Sequence, residues 1–329
     1  MTEKTIIGEQ PDRVSRPGRS DTVPGGIETR QVAIGRQSLL VAIKHGGISA
    51  RPLLLFNGIG ANWELARPLL ESLNNTTVVI FDVPGVGGSP APPWPYRPST
   101  LARLGAALVT KLGYEEVDVA GVSWGGGIAQ QFAHQYPKLC RRLVLAATAP
   151  GAIMVPASPS VLWKMATPRR YIDKDYMRKV APHIYGGAFR NEPSSIGPHA
   201  AAMHGARNLG YFYQLLAMAG WTSLPWLWTL QQPTLVLMGS DDPLVPPING
   251  HILARLIPKA KLHMIDDGHL FMITRPKETA ALIEGFLADE TKRVEPSSCR
   301  PNLQGRCLRS RLGEPPIAQP PRGNRLPKR

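Results

Sequence analysis

Apolar residues recur along this chain in short uninterrupted runs separated by segments of helical spacing. Leu53-Leu54-Leu55-Phe56, Thr77 to Asp82, Val117 to Ala120, Leu143 to Ala146, Thr234 to Met238 and Lys261 to Ile265 are each too short for a helix and too continuous for a one-sided strand. Runs of that kind predict strands buried on both faces. Ahead of them, Thr29 to Ile34 and Gln37 to Ile43 alternate polar and apolar positions around Gly35-Arg36, the pattern of a hairpin. Between the runs, apolar spacing predicts helices over Trp63–Leu73, Ser99–Leu112, Gly126–Tyr136, Pro247–Ile257 and Thr274–Ala288. Strands alternating with helices imply a mostly parallel central sheet flanked by helices.

The alternation stops at about Pro150 and resumes near Gln232. The interval carries Trp163, Trp221, Trp226 and Trp228 together with five tyrosines, is punctuated by glycine and proline, and shows no clear strand. An inserted helical cap accounts for this pattern, most of its aromatics forming a small core of their own. The expected organisation is a flexible arm over residues 1–26, a core from 27–150 and 231–290, a cap over 151–230 and a tail over 291–329.

One motif lies at the end of a predicted strand and the start of a predicted helix: Gly121-Val122-Ser123-Trp124-Gly125. In that context G-x-S-x-G is a nucleophile elbow, a sharp turn that presents the serine at the top of the sheet. Otherwise the serine would only cap the next helix. A serine hydroxyl needs a base to take its proton and an acid to orient that base. His269, in the loop after the last strand and preceded by Gly268, is the expected base. His134 and His263, in a helix and a strand, read as structural or surface groups. Two adjacent acids, Asp241 and Asp242, follow the strand over 234–238; Asp242, next to Pro243, is favoured, with Asp241 the alternative. Asp266 and Asp267 are expected to shape the histidine loop. Two backbone donors should hold the oxyanion: the amide of Trp124, and that of Ile59 in the loop Asn57-Gly58-Ile59-Gly60. Asn57 and Trp221 are candidate substrate-binding residues. No metal-ligand cluster, Walker-type loop or dinucleotide fingerprint competes, so no metal or cofactor is expected.

Charge and cysteine content alter this picture little. The net charge is +14, and the Pro-rich tail from Lys292 to Arg329 carries +8 of it. Such a tail reads as disordered and solvated, without a specific nucleic-acid partner. No run of about 18 apolar residues predicts a membrane span, the first residues lack a secretory core, and three scattered cysteines (Cys140, Cys299, Cys307) fit a reducing compartment. A cytoplasmic protein is the expectation.

Beyond the elbow, several segments resemble the intracellular medium-chain-length polyhydroxyalkanoate depolymerases. They include Phe56-Asn57-Gly58-Ile59-Gly60-Ala61-Asn62, Phe81-Asp82-Val83-Pro84-Gly85-Val86-Gly87-Gly88-Ser89 and, within the cap, Pro168 to Ile172, Ile184 to Arg190 and Gly220 to Ser223. The resemblance runs from about Arg51 to Ala288, and its cap segments are its specific part. It implies an alpha/beta-hydrolase fold with a cap, a triad of Ser123, Asp242 and His269, and hydrolysis of aliphatic polyesters of 3-hydroxy fatty acids at the surface of intracellular granules. Within that fold a serine nucleophile separates the chain from dehalogenases and epoxide hydrolases, which use aspartate, and from polyester synthases, which use cysteine. Two other readings remain: a hydrolase of small esters, thioesters or lactones with the same triad, and a non-catalytic granule-binding protein.

Overall fold

A computed structural model of the protein describes residues 21–23, 26–47, 51–166, 169–192, 194, 196–197 and 208–289. The expected arm up to residue 20 and the tail over 291–329 lie outside the described residues, as do His199 and His204.

Among the described residues nine strands, numbered in chain order from β1 (Asp21–Val23) to β9 (Ala260–Ile265), form one sheet in the order β1-β2-β3-β5-β4-β6-β7-β8-β9. The hairpin of β2 (Ile27–Ile34) and β3 (Gln37–Lys44) turns at Gly35, with Ile34 opposite Gln37, and β3 pairs antiparallel with β5 (Val78–Phe81). From β5 onward every pair is parallel, through β4 (Leu53–Phe56), β6 (Val117–Val122), β7 (Cys140–Ala146), β8 (Thr234–Gly239) and β9 (Ala260–Ile265). One strand was not expected: Asp21–Val23, β1, pairs antiparallel with β2 within the segment read as an arm. Three residues carry too little pattern to be recognised, and their pairing is set by the free backbone edge of β2.

The continuous apolar runs divide between two cores by the two-residue period of a strand. Leu54, Phe56, Val79, Phe81 and Val119 pack on one side with Leu101 and Leu108 of α2 (Pro98–Lys111) and Ile128 and Phe132 of α3 (Trp124–Gln135). Leu53, Leu55, Val78, Ile80 and Ala120 face the other side, under α1 (Arg67–Ser72) and the last helix of the fold. Two predicted helices are broken. The segment 63–73 opens with a 3-10 turn over Trp63–Ala66 before α1, and Pro68 stands in the first turn of α1, where its missing N–H is not needed.

Between β7 and β8 the chain forms α4 (Pro159–Met165), α5 (Arg169–Ile172), α6 (Lys174–Tyr185), α7 (Gly187–Asn191) and α8 (Asn208–Met218). The carboxylate of Asp173 caps α6 by accepting from the amides of Asp175 and Tyr176. Met177, Val180, Ala181, Ile184 and Tyr185 line one face of α6 at helical spacing and form a third core with Val161 and Phe189. After β8 come α9 (Ile248–Leu256), α10 (Phe271–Thr274) and α11 (Pro276–Ala288); Pro276 separates the last two where a single helix over 274–288 was expected. Among the described residues, no helix is long and apolar enough to cross a membrane.

Candidate active site

The order β5-β4-β6 places consecutive strands on opposite sides of β4, so the loops leaving β4 and β6 diverge above the sheet. Open parallel sheets bind ligands at such switch points. Phe56 is registered against Gly121, which brings the turn after β6 beside the loop after β4.

Ser123 occupies that turn with φ 53 and ψ −120, one of two described non-glycine residues with positive φ. The conformation is strained by about 1–3 kcal/mol and is held by its surroundings. Ser123 N–H donates to Ala146 O (2.8 Å), and Ser123 O accepts from Thr148 Oγ1 (2.7 Å) and Gly126 N–H (2.9 Å). The two glycines of the motif are needed for close approach. A Cβ on Gly121 would overlap Gly125 O, and one on Gly125 would overlap the carbonyls of Phe56 and Asn57. The first turn of α3 therefore rests directly on the β4 loop.

Three groups from three loops converge here. His269 Nε2 lies 2.9 Å from Ser123 Oγ, and His269 Nδ1 lies 2.7 Å from Asp242 Oδ2. Asp242 and His269 are both buried, and Asp242 Oδ1 accepts from the amides of Leu244 and Val245 (2.9 Å each), which locks the carboxylate toward the imidazole. The amide of His269 donates to Tyr185 O at the end of α6 (2.7 Å), and the Tyr185 ring stands parallel to the imidazole, with centroids 6.2 Å apart.

The neighbouring acids do different work. Asp241 Oδ2 accepts from Gly187 N–H (2.8 Å) and pairs with Arg190. Asp267 Oδ1 accepts from the amides of Ala188 (2.7 Å) and Gly268 (2.6 Å), and its Oδ2 from Thr274 Oγ1 (2.5 Å). Asp241 and Asp267 thus fasten the start of α7 to the loops that carry Asp242 and His269. Asp266 accepts a longer bond from Ser240 Oγ (3.3 Å). His134 stacks on Trp226 with centroids 4.3 Å apart, and His263 lies exposed on the edge strand β9.

Two apolar spaces meet at Ser123. A small alcove of about 50 Å³ is bounded by Asn57, Gly58, Ile59, His269 and Tyr185. A larger cavity of about 450 Å³ runs between Trp124, Ala149, Met154, Leu215, Met218 and Trp221. Met165 and Leu244 border both. Trp221 presents its ring to the larger cavity, while its Nε1 donates to Gln131 Oε1 (2.9 Å). Asn57 borders the alcove, but both polar ends serve its own loop: Nδ2 donates to Asn62 O (2.8 Å) and Oδ1 accepts from Gly58 N–H (2.9 Å). Gly58 packs against Ser123: a Cβ on Gly58 would stand 3.9 Å from Ser123 Cβ.

Burial alters the acidity of several groups away from this cluster, Asp82 and Cys140 among them. Burial pushes the Asp82 carboxyl up to about 6, although the amides of Gly88 and Trp63 donate to it. Burial likewise raises the Cys140 thiol well above its usual range.

Sequence reasoning did not single out Gln214, which is fully buried in α8 and binds both the β4 loop and Trp124. Its one visible signal is a lone amide among apolar residues in Tyr211-Phe212-Tyr213-Gln214-Leu215-Leu216-Ala217-Met218.

A family model described as the alpha/beta hydrolase fold matches residues 51–276. The chain belongs to the alpha/beta hydrolase family. Within it, the chain is 53% identical to a poly(3-hydroxyalkanoate) depolymerase of Ectopseudomonas oleovorans over 266 residues, 80% of this chain and 94% of that protein. A 2-hydroxymuconate semialdehyde hydrolase of Pseudomonas sp. is 27% identical over 78% of this chain and 94% of its own length. Among solved structures, an enol-lactonase from Burkholderia xenovorans superimposes with a TM-score of 0.68 at 21% identity, covering 78% of this chain and 99% of that one, and shows the shared hydrolase fold.

Proposed function

We propose that the protein is a serine hydrolase that cleaves the ester bonds of poly(3-hydroxyalkanoate), with medium-length side chains, at the surface of polymer granules. The observation that carries this reading is the chain of contacts from Asp242 through His269 to Ser123, opening onto two apolar spaces. The 53% identity to a protein named poly(3-hydroxyalkanoate) depolymerase supports the choice of ester.

In the proposed reaction Ser123 Oγ attacks the ester carbonyl while His269 Nε2 takes its proton. The amides of Trp124 and Ile59 hold the oxyanion of the tetrahedral intermediate. Asp242 stabilises the imidazolium. Collapse breaks the ester C–O bond, and His269 returns the proton to the departing alkoxide. The result is a 3-hydroxyacyl ester on Ser123 and a shortened chain with a free hydroxyl. Water then gives a proton to His269 and attacks the acyl carbonyl. A second collapse restores the Ser123 hydroxyl and releases a 3-hydroxy acid. The segment 151–230 acts as the cap over this chemistry, and Trp221 and Ala149 line the space for an alkyl chain.

The test is clearing of a poly(3-hydroxyoctanoate) suspension beside hydrolysis of soluble p-nitrophenyl octanoate, with wild type and Ser123→Ala. Clearing by wild type alone is expected. Hydrolysis of the soluble ester without clearing would keep the nucleophile and move the function to a small-ester hydrolase. Full activity of Ser123→Ala would overturn the site.

A further inference from the structure

Trp124 and Gly60, the residue after Ile59, are both hydrogen-bonded to one cap residue. Gln214 Oε1 accepts from Gly60 N–H at 2.6 Å, and the main-chain carbonyl of the same residue accepts from Trp124 Nε1 at 2.9 Å. The first bond fixes the peptide that joins Ile59 to Gly60. The preceding peptide, which carries the Ile59 N–H, is held by Ala61 N–H donating to Gly58 O (3.2 Å). The second bond fixes the indole of Trp124 and with it the residue that follows the nucleophile.

The helix that carries Gln214 is seated firmly. Gly210 of α8 lies so close to Gly85, in the loop after β5, that a Cβ on Gly210 would overlap Gly85 O. The carbonyls of Leu216 and Ala219 at the far end of α8 accept from Arg97 Nη1 (3.4 and 3.2 Å). Tyr211 OH donates to Met165 O (2.6 Å), which ties α8 to α4. Gln214 is thus delivered to the β4 loop by a helix anchored at three places, and it is fully buried where it arrives.

We infer that Gln214 is a positioning residue for the oxyanion site, coupling the seating of α8 to the alignment of the two donor amides. The inference rests on the serine-hydrolase reading above. Donor amides stabilise a tetrahedral intermediate only where the oxyanion develops, so their misalignment weakens the transition state more than the bound ester. Loosening Gln214 therefore lowers kcat and leaves KM nearly unchanged.

The experiment compares wild type, Gln214→Met, Gln214→Glu and Ser123→Ala on soluble p-nitrophenyl octanoate, with inhibition by an octyl trifluoromethyl ketone, which forms a tetrahedral adduct on an active serine. Methionine matches glutamine in length but cannot replace its amide oxygen. A fall in kcat of about 10- to 100-fold is expected, with KM within about two-fold, because a displacement near 1 Å has effects of this size. The inhibition constant of the ketone should rise by the same factor. Gln214→Glu keeps an acceptor at the same reach and should recover most of the lost kcat. If Gln214→Met does not fold, Gln214→Asn, which keeps the amide but falls one methylene short, is expected to show the same split. An unchanged kcat, or a rise in KM with an unchanged ketone constant, overturns the inference. Activity in Ser123→Ala instead overturns the reading of the site itself, so the two failures are distinguishable.

Discussion

Asp241 and Asp242 are consecutive in the chain and serve different parts of the molecule: Asp242 Oδ2 meets His269 Nδ1 at 2.7 Å, while Asp241 Oδ2 meets Gly187 N–H at 2.8 Å at the start of α7. One loop thus contacts both the His269 imidazole and the start of α7. Replacing Asp242 by alanine leaves the imidazole without its orienting acceptor, and a loss of about 10³- to 10⁴-fold in kcat is expected. Replacing Asp241 by alanine removes a carboxylate from the α7 amide and from Arg190, expected to lower stability by about 1–3 kcal/mol with kcat within roughly ten-fold of wild type. Steady-state kinetics and thermal unfolding of both variants separate these roles. Equal kinetic losses would mean that Asp241 shares the orientation of His269.

The Gly186-Gly187 pair packs closely against the loops that carry Asp241 and His269. Both residues have positive φ (65° and 49°), and a Cβ on Gly187 would overlap Gly268 N and Asp267 Oδ1. Gly187→Ala is expected to cost about 1–3 kcal/mol from backbone strain alone, with the overlap adding to it. Because the displaced peptide joins Asp267 to Gly268, the residue before His269, kcat should fall at temperatures where the variant is still folded. Circular dichroism melts alongside kinetics at low temperature test this; a stability loss with wild-type kcat would show that the cap contact does not position the base.

Asp82 gives a pH dependence with a definite sign. Its carboxyl rises from 3.8 to about 6 on burial, so folding favours the protonated form. The stabilising contribution is complete below pH 4 and is lost as pH rises through about 6. Its size is about 3 kcal/mol, because each tenfold gain in proton affinity on folding is worth about 1.4 kcal/mol. Asp82→Asn removes the titration. Stability of wild type minus that of the variant, from urea unfolding at pH 4 and pH 7, should therefore fall by about this amount. A difference independent of pH would show that Asp82 titrates as an ordinary carboxylate.

Much of this site was legible because its chemistry sits where the chain's pattern changes. The strands before Ser123 and Asp242 are continuous apolar runs buried on both faces, whereas β9, expected to be of the same kind, is a largely exposed edge strand whose run from Lys261 to Ile265 mixes polar and apolar positions; all three residues follow their strands at the C-terminal end. Asp242 was separable from Asp241 only as a preference, because adjacent loop acids differ in the direction they face and sequence does not encode that direction. Gln214 was invisible for a stronger reason. Half of its contribution comes from a main-chain carbonyl, which every residue has, and its place opposite Trp124 depends on how α8 docks on Gly85. The strand at Asp21–Val23 was missed on similar grounds, since it is specified by the edge it joins.

The larger cavity predicts how chain-length preference can be moved. Ala149 and Trp221 both line it, and Gly127 lies close enough to Trp221 that a Cβ there would stand 3.0 Å from the indole. Trp221 is braced against α3 by this contact and by its bond to Gln131, which limits how far this side of the cavity yields when a side chain is enlarged. Ala149→Leu projects three more carbons into the space, and an alkyl chain that filled it must give up an equal length of contact. Each methylene excluded from an apolar site is worth about 1–3 kcal/mol in discrimination. On p-nitrophenyl esters, kcat/KM for the dodecanoate should fall at least ten-fold relative to the butanoate, whose short chain does not reach the added carbons. Equal losses on both esters would assign this cavity to the alcohol side of the substrate and leave the acyl chain to the alcove beneath Tyr185.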